Sequence, residues 1–130
     1  MVDAAPRVFK TSEFSRWARK EDLAEQILCT AASEMQGGLI DARLGGYLVK
    51  RRVALPGKGR RGGARTIVAT NFSGRWFYIF GFSKSERGNI DFREERALRK
   101  LAEVLVGMNV RALDAALASG ALEEICDGDI

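Results

Sequence analysis

Residues Trp76 to Ser83 (WFYIFGFS) are apolar at nearly every position. On a strand Trp76, Tyr78, Phe80 and Phe82 would point one way and Phe77 and Ile79 the other. A strand apolar on both sides has no face to give to water, so it should be central in its sheet. Thr66 to Thr70 reads as the preceding strand, joined to it through Ser73 and Gly74 as an antiparallel hairpin. From Leu48 the period is also two. Leu48, Lys50, Arg52 and Ala54 share one side, and Val49, Arg51, Val53 and Leu55 the other. Arg51 thus falls among apolar residues, and an edge position or a snorkelling stem is expected for it.

Helical spacing surrounds this meander. Val8 to Lys10 reads as a short first strand, followed by a helix with Phe14 and Trp17 on one face. Asp22 and Glu25 have capping-box spacing before a second helix, whose apolar stripe is Ala24, Ile27, Leu28, Ala31 and Met35 and whose stop is Gly37-Gly38. The two could also be one bent hairpin. Asp91 and Glu94 repeat the spacing before a helix with stripe Leu98, Leu101, Ala102 and Leu105, ended by Gly107. Asn109 and Gly120 bracket a shorter helix, and an acidic tail begins at Glu123. The order predicts an α+β domain. With 130 residues, 46% of them apolar, and no internal repeat, one domain over 1–130 is expected. No apolar run could cross a bilayer and no signal pattern opens the chain, so a cytoplasmic protein without membrane contact is expected. Cys29 and Cys126 are far apart and without metal-ligand spacing, which suggests unpaired thiols in a reducing compartment.

The window from Lys50 to Arg65 (KRRVALPGKGRRGGAR) carries seven of the 21 Lys and Arg and none of the 17 Asp and Glu. It accounts for the whole formal charge of +4, because outside it 14 basic residues (21 − 7) face 17 acidic ones. Gly57, Gly59, Gly62 and Gly63 allow backbone N–H groups to approach an anion closely. A polyanion is the natural partner. Nucleic acid phosphates fit better than membrane headgroups, since no amphipathic helix presents these charges beside an apolar face. The glycines lack the strand, lysine and helix context of a nucleotide-binding loop. The chain has no histidine, which excludes His-based zinc sites and Ser-His-Asp chemistry. Catalysis would have to use Lys, Arg, Tyr, Ser or carboxylates, with neither a metal nor a cofactor expected.

Three motifs in order resemble those of RelE/ParE toxins of type II toxin-antitoxin systems, and most nearly the HigB-like branch. These are Leu48, Lys50, Arg52 and Val53 on a strand, then Gly62, Gly63 and Arg65 ending a basic Gly-rich loop, then Lys84, Glu86 and Asn89 in a K-x-E-x-x-N segment. The resemblance covers roughly residues 7–106, with 107–130 as a C-terminal helical extension. It implies a small antiparallel sheet with two N-terminal helices and C-terminal helices packed on it. It also implies an endoribonuclease that cuts mRNA in the ribosomal A site and is held inactive by a cognate antitoxin, which could be of helix-turn-helix type. The alternatives are a ParE-like gyrase poison on the same fold and a plain RNA-binding module.

Cleavage by 2'-OH attack needs a base, cationic stabilisation of the phosphorane and an acid for the 5'-oxygen. Lys50, Arg52, Arg65 and Lys84 are the candidate catalytic set. Lys50 is preferred for proton transfer, and Arg52 and Arg65 for clamping phosphate with guanidinium forks. Lys58, Arg60 and Arg61 are candidate RNA-binding charges that steer association. Glu86 could act as a base, though an ion pair with Arg87 or another nearby cation is the simpler reading. Tyr78 and Phe82 could stack on a base, though core packing is the commoner fate of such residues.

Overall fold

Thr11 ends the first strand and caps the first helix, its hydroxyl accepting from Phe14 N at 3.2 Å. The computed structural model describes residues 5–57 and 59–126, with backbone alone over 59–62. In chain order the elements are β1 (Arg7–Thr11), α1 (Ser12–Lys20), α2 (Glu25–Gln36), β2 (Ala42–Gly45), β3 (Leu48–Leu55) and β4 (Gly59–Ala69). There follow β5 (Arg75–Ser83), α3 (Phe92–Val106), α4 (Val110–Ser119) and β6 (Leu122–Ile125). They form one six-stranded sheet in the order β2-β3-β4-β5-β1-β6. The β3-β4-β5 meander is antiparallel as expected, and β5 is internal, with β1 lying parallel on its far side. The fold is α+β.

Helices cover both sheet faces. Phe14, Leu28 and Met35 of α1 and α2 pack with Val8, Val49, Val53, Trp76 and Tyr78 on one. Leu98, Leu105 and Leu113 of α3 and α4 pack with Phe9, Leu48, Ile67 and Phe77 on the other. Asp91 and Glu94 form both halves of the capping box expected at α3. The one expected at Asp22 does not form. Asp22 takes a left-handed φ of 58° in the turn that closes α1, where Leu23 N donates back to Ala18 O, and α2 starts after Ala24 with no side-chain cap.

The alternation expected along β5 breaks at a bulge. Ile67 pairs with Phe80 and Val68 with Tyr78, so Ile79 is the unmatched residue. Trp76 and Tyr78 therefore face α1 and α2, whereas Phe77, Ile79, Phe80 and Phe82 all belong to the α3 side. Gly81, beyond the bulge, lies under Trp17, whose ring a Cβ there would meet at 2.3 Å.

Two strands escaped the sequence reading. β2 covers β3 only from Leu48 to Lys50. β6 lies in the supposed acidic tail, where Glu124 pairs with Arg7 at 2.8 Å and Glu123 reaches the buried Lys10 at 3.9 Å. The expectation of free thiols is also corrected, because Cys29 and Cys126 are joined as a disulfide. Antiparallel pairing with β1 carries the end of β6 back toward α2, and a sequence separation of 97 residues is no obstacle in space. Closing so long a loop is expected to contribute about 2–4 kcal/mol. Urea unfolding of the protein should shift to lower midpoint by that amount on adding reductant, and Cys126→Ser should abolish the difference.

Candidate phosphate-binding face

The register of the meander places Arg52 directly opposite Arg65, and Arg65 opposite Phe82. The adjacent row is Lys50, Ile67 and Phe80. Both rows are on the α3 side, and cover thins along β3, from buried Leu48 through half-buried Lys50 to Arg52 with a 62% exposed side chain. Cross-strand partners have Cβ atoms about 5 Å apart, so two guanidinium stems are held side by side, an arrangement that costs stability unless an anion lies between them. Asp41 partly offsets this. Its carboxylate accepts from Arg52 N at 2.7 Å and from Arg52 Nε at 3.3 Å.

The other cations are less satisfied. Arg65 Nη1 is buried and has no hydrogen-bond partner among the described residues. Neither Lys50 nor Lys84 meets a carboxylate among them. Lys84 is exposed just past β5, and its backbone N donates to Gly63 O at 3.0 Å, two residues before Arg65. The turn thus brings three of the four candidates to one end of the sheet, with Lys50 one row away. Lys58 lies outside the described residues. Arg60 and Arg61 belong to β4 and not to a loop, since the hairpin turns just after Leu55, and their side chains lie outside what is described.

Glu86 does not pair with Arg87. It accepts from Ser83 Oγ at 3.1 Å, while Arg87 forks Glu94 at 2.8 and 2.6 Å. Those hydrogen bonds hold Glu94 below and Arg87 above their ordinary pKa values, and both are first in cause over the charges' through-space attraction. The Arg87 guanidinium also lies 5.3 Å from the Phe80 ring centroid and 5.4 Å from that of Phe82. It thereby joins the start of α3 to the aromatic floor of the site. Arg87 and Asp41 were missed in the sequence. Arg87 follows Glu86 in a segment that offers a nearer partner, and Asp41 sits where no periodicity marks a strand.

Arg51 points to the other side. It is bound by Glu34 and, at 2.8 Å, by the Leu39 carbonyl, with its side chain 16% exposed, so it is an ion-paired residue rather than a snorkelling stem. A cleft of about 540 Å³ lies beside it between α2 and β3, and its lining includes Asp41 and Arg52. Tyr78 is also on the α2 side, donating to Leu28 O at 2.7 Å. Burial pushes its phenol above the ordinary value of 10.0. A raised folded-state pKa means that its contribution is complete below pH 10.0 and is lost as pH rises further, because only the unfolded chain readily releases the proton. Tyr78→Phe is expected to flatten the alkaline limb of a stability-versus-pH curve.

Among the described residues no cluster of acidic or sulfur side chains could hold a metal ion, and no helix is long and apolar enough to cross a membrane. The fold and this face define a small α+β protein with a cationic face at one end of its sheet. The chain belongs to the RelE toxin family of RelE/RelB toxin-antitoxin systems, whose family model matches residues 6–125. That match includes β6 and α4, and it is to the family as a whole, with no HigB-like branch distinguished. No curated protein matches the chain.

Proposed function

We propose that this toxin is a ribosome-dependent mRNA endoribonuclease that inhibits translation and is restrained by a cognate antitoxin. The observation that carries the reading is the cross-strand pair Arg52 and Arg65, with the orphaned Arg65 Nη1 beside it. A buried guanidinium donor left without an acceptor favours an anion, and a phosphate offers two oxygens to such a fork. Arg52 and Arg65 clamp the scissile phosphate and take up the charge that develops on the phosphorane. Lys84 closes the ring from the β5 end. Lys50 serves proton transfer, its position beside Arg52 on one strand face putting it within one residue pair of the phosphate. The half-buried ring of Phe80, braced by Arg87, provides an apolar floor for the sugar or base. The substrate arrives aligned by the ribosome, which lets modest proton-transfer groups suffice. Arg60, Arg61 and Lys58 steer association with RNA.

Action on ribosomes places the protein in the cytoplasm, where the Cys29–Cys126 bond meets reductants. Cys29 is in α2, on the sheet side away from the cationic row, so the reduced protein is expected to cleave at the rate of the oxidised one at temperatures where both are folded.

The test is induction in a growing culture followed by mapping of mRNA ends, together with cleavage on purified programmed ribosomes. Truncated messages in the cell and cuts within the A-site codon in vitro are expected. The cut should persist when metal is titrated on pre-assembled complexes. Double-strand DNA breaks with intact messages would instead identify a gyrase poison.

A further inference from the structure

At the end of the sheet away from the cationic row, the β2–β3 and β4–β5 turns lie side by side, tied by Thr70 N donating to Tyr47 O at 2.9 Å. Each turn holds out one aromatic residue. Tyr47 is 48% and Phe72 44% exposed, and both have left-handed backbones, with φ of 68° and 64°. Bulky residues seldom accept that conformation, and here it is maintained in two adjacent turns. Phe72 N donates to Thr70 Oγ1 at 3.0 Å, and the Phe72 ring meets buried Trp76 edge-on at 5.6 Å, so its orientation is fixed. The guanidinium of Arg43 lies 4.4 Å from the Phe72 centroid and pairs with no carboxylate among the described residues.

We propose that Arg43, Phe72 and Tyr47 form a second RNA contact that receives an unstacked base of ribosomal RNA. A guanidinium stacked on an exposed ring offers a π-surface for a base, and its free N–H edge offers donors to the adjoining phosphate. An apolar protein partner would have no use for the unpaired charge. Message held at Arg52 and Arg65 does not supply this base, because the Phe72 ring rests on Trp76 of the α1–α2 face, at the far end of the sheet, whereas the cationic row is on the α3 face. The surface therefore orients the toxin on the ribosome, while the cationic row grips the message. This inference rests on the ribosomal reading proposed above.

The experiment is co-sedimentation with purified ribosomes and chemical footprinting of their RNA, using the wild-type protein, Arg43→Ala, Phe72→Ala and Tyr47→Ala. Circular dichroism and melting confirm which variants are folded. Wild-type protein is expected to protect a base outside the A-site codon. Arg43→Ala and Phe72→Ala are each expected to lose that protection and about tenfold in affinity, the scale of one stacked base. Should Phe72→Ala fail to fold, Arg43→Ala and Tyr47→Ala carry the test, since both residues are exposed. Folded variants with wild-type affinity and an unchanged footprint overturn this surface alone. Failure of the wild-type protein to bind ribosomes overturns the ribosomal reading and the surface with it.

Discussion

Arg65→Ala is expected to slow single-turnover cleavage on saturated, programmed ribosomes by on the order of a hundredfold or more, with Lys84→Ala close behind. Arg65 is the stronger case. Its Nη1 makes no hydrogen bond among the described residues and its stem stands opposite Arg52, so the native protein gains little from the charge. Truncation should leave the melting temperature unchanged or raise it, because a like-charge cross-strand pair is removed. A rate loss without a stability loss would assign the charge to the reaction. Lys50→Ala and Arg52→Ala should fall in the same kinetic group. Arg60→Ala and Arg61→Ala should weaken binding and lower its salt dependence, through fewer released counterions. If Arg65→Ala and Lys84→Ala cleave normally once saturated, the assignment of these residues is wrong even where the protein still proves to be a nuclease.

Gly81→Val is expected to give the largest loss of stability, about 3 kcal/mol or more, seen as a collapse of the urea midpoint or as insoluble expression. Even a single Cβ at this position would lie 2.3 Å from Trp17 Cζ3 and 2.5 Å from Trp17 Cε3. Those are ring atoms of a residue on α1, which packs on β5, so relief would require the ring to swing out of its packing or α1 to lift off the sheet. A pair of changes, Gly81→Ala with Trp17→Leu, should recover part of the loss caused by Gly81→Ala alone. Equal losses in the single and paired variants would mean that the backbone at Gly81, and not the ring above it, sets the requirement.

Much of the scaffold was legible along the chain because it depends on local periodicity. The β3-β4-β5 meander, the central place of β5, the shared face of Phe14 and Trp17 on α1 and the Asp91–Glu94 capping box follow from spacing that neighbouring residues impose on one another. The proposed phosphate-binding row was legible in part for the same reason. Lys50 and Arg52 share a face because side chains alternate on any strand, and Arg65 was placed by the resemblance of its motif. Asp22 and Glu25 have the same capping spacing, yet the left-handed turn that closes α1 uses Asp22 first, so local pattern lost to the geometry of the preceding helix.

What tertiary structure alone decided involves partners distant in sequence. Asp41 acquires meaning only when its strand neighbour brings Arg52 N within 2.7 Å, and Arg87 only when Glu94 of α3 turns back upon it. The bulge at Ile79 reassigns Phe80 and Phe82 to the opposite face, and nothing in a run of aromatics marks which residue is left unpaired. The edge strand β6 reads as an acidic tail until Arg7 and Lys10 neutralise it across the sheet. Its pairing with β1 then brings Cys126 to Cys29. The sequence by itself determined the α+β class, the central strand and the location of the positive charge, because these arise from composition and short-range periodicity. The strand register, the bulge, the disulfide and the partners of each charge were decided only when the chain closed into its sheet, since each depends on which distant residues come to lie opposite one another.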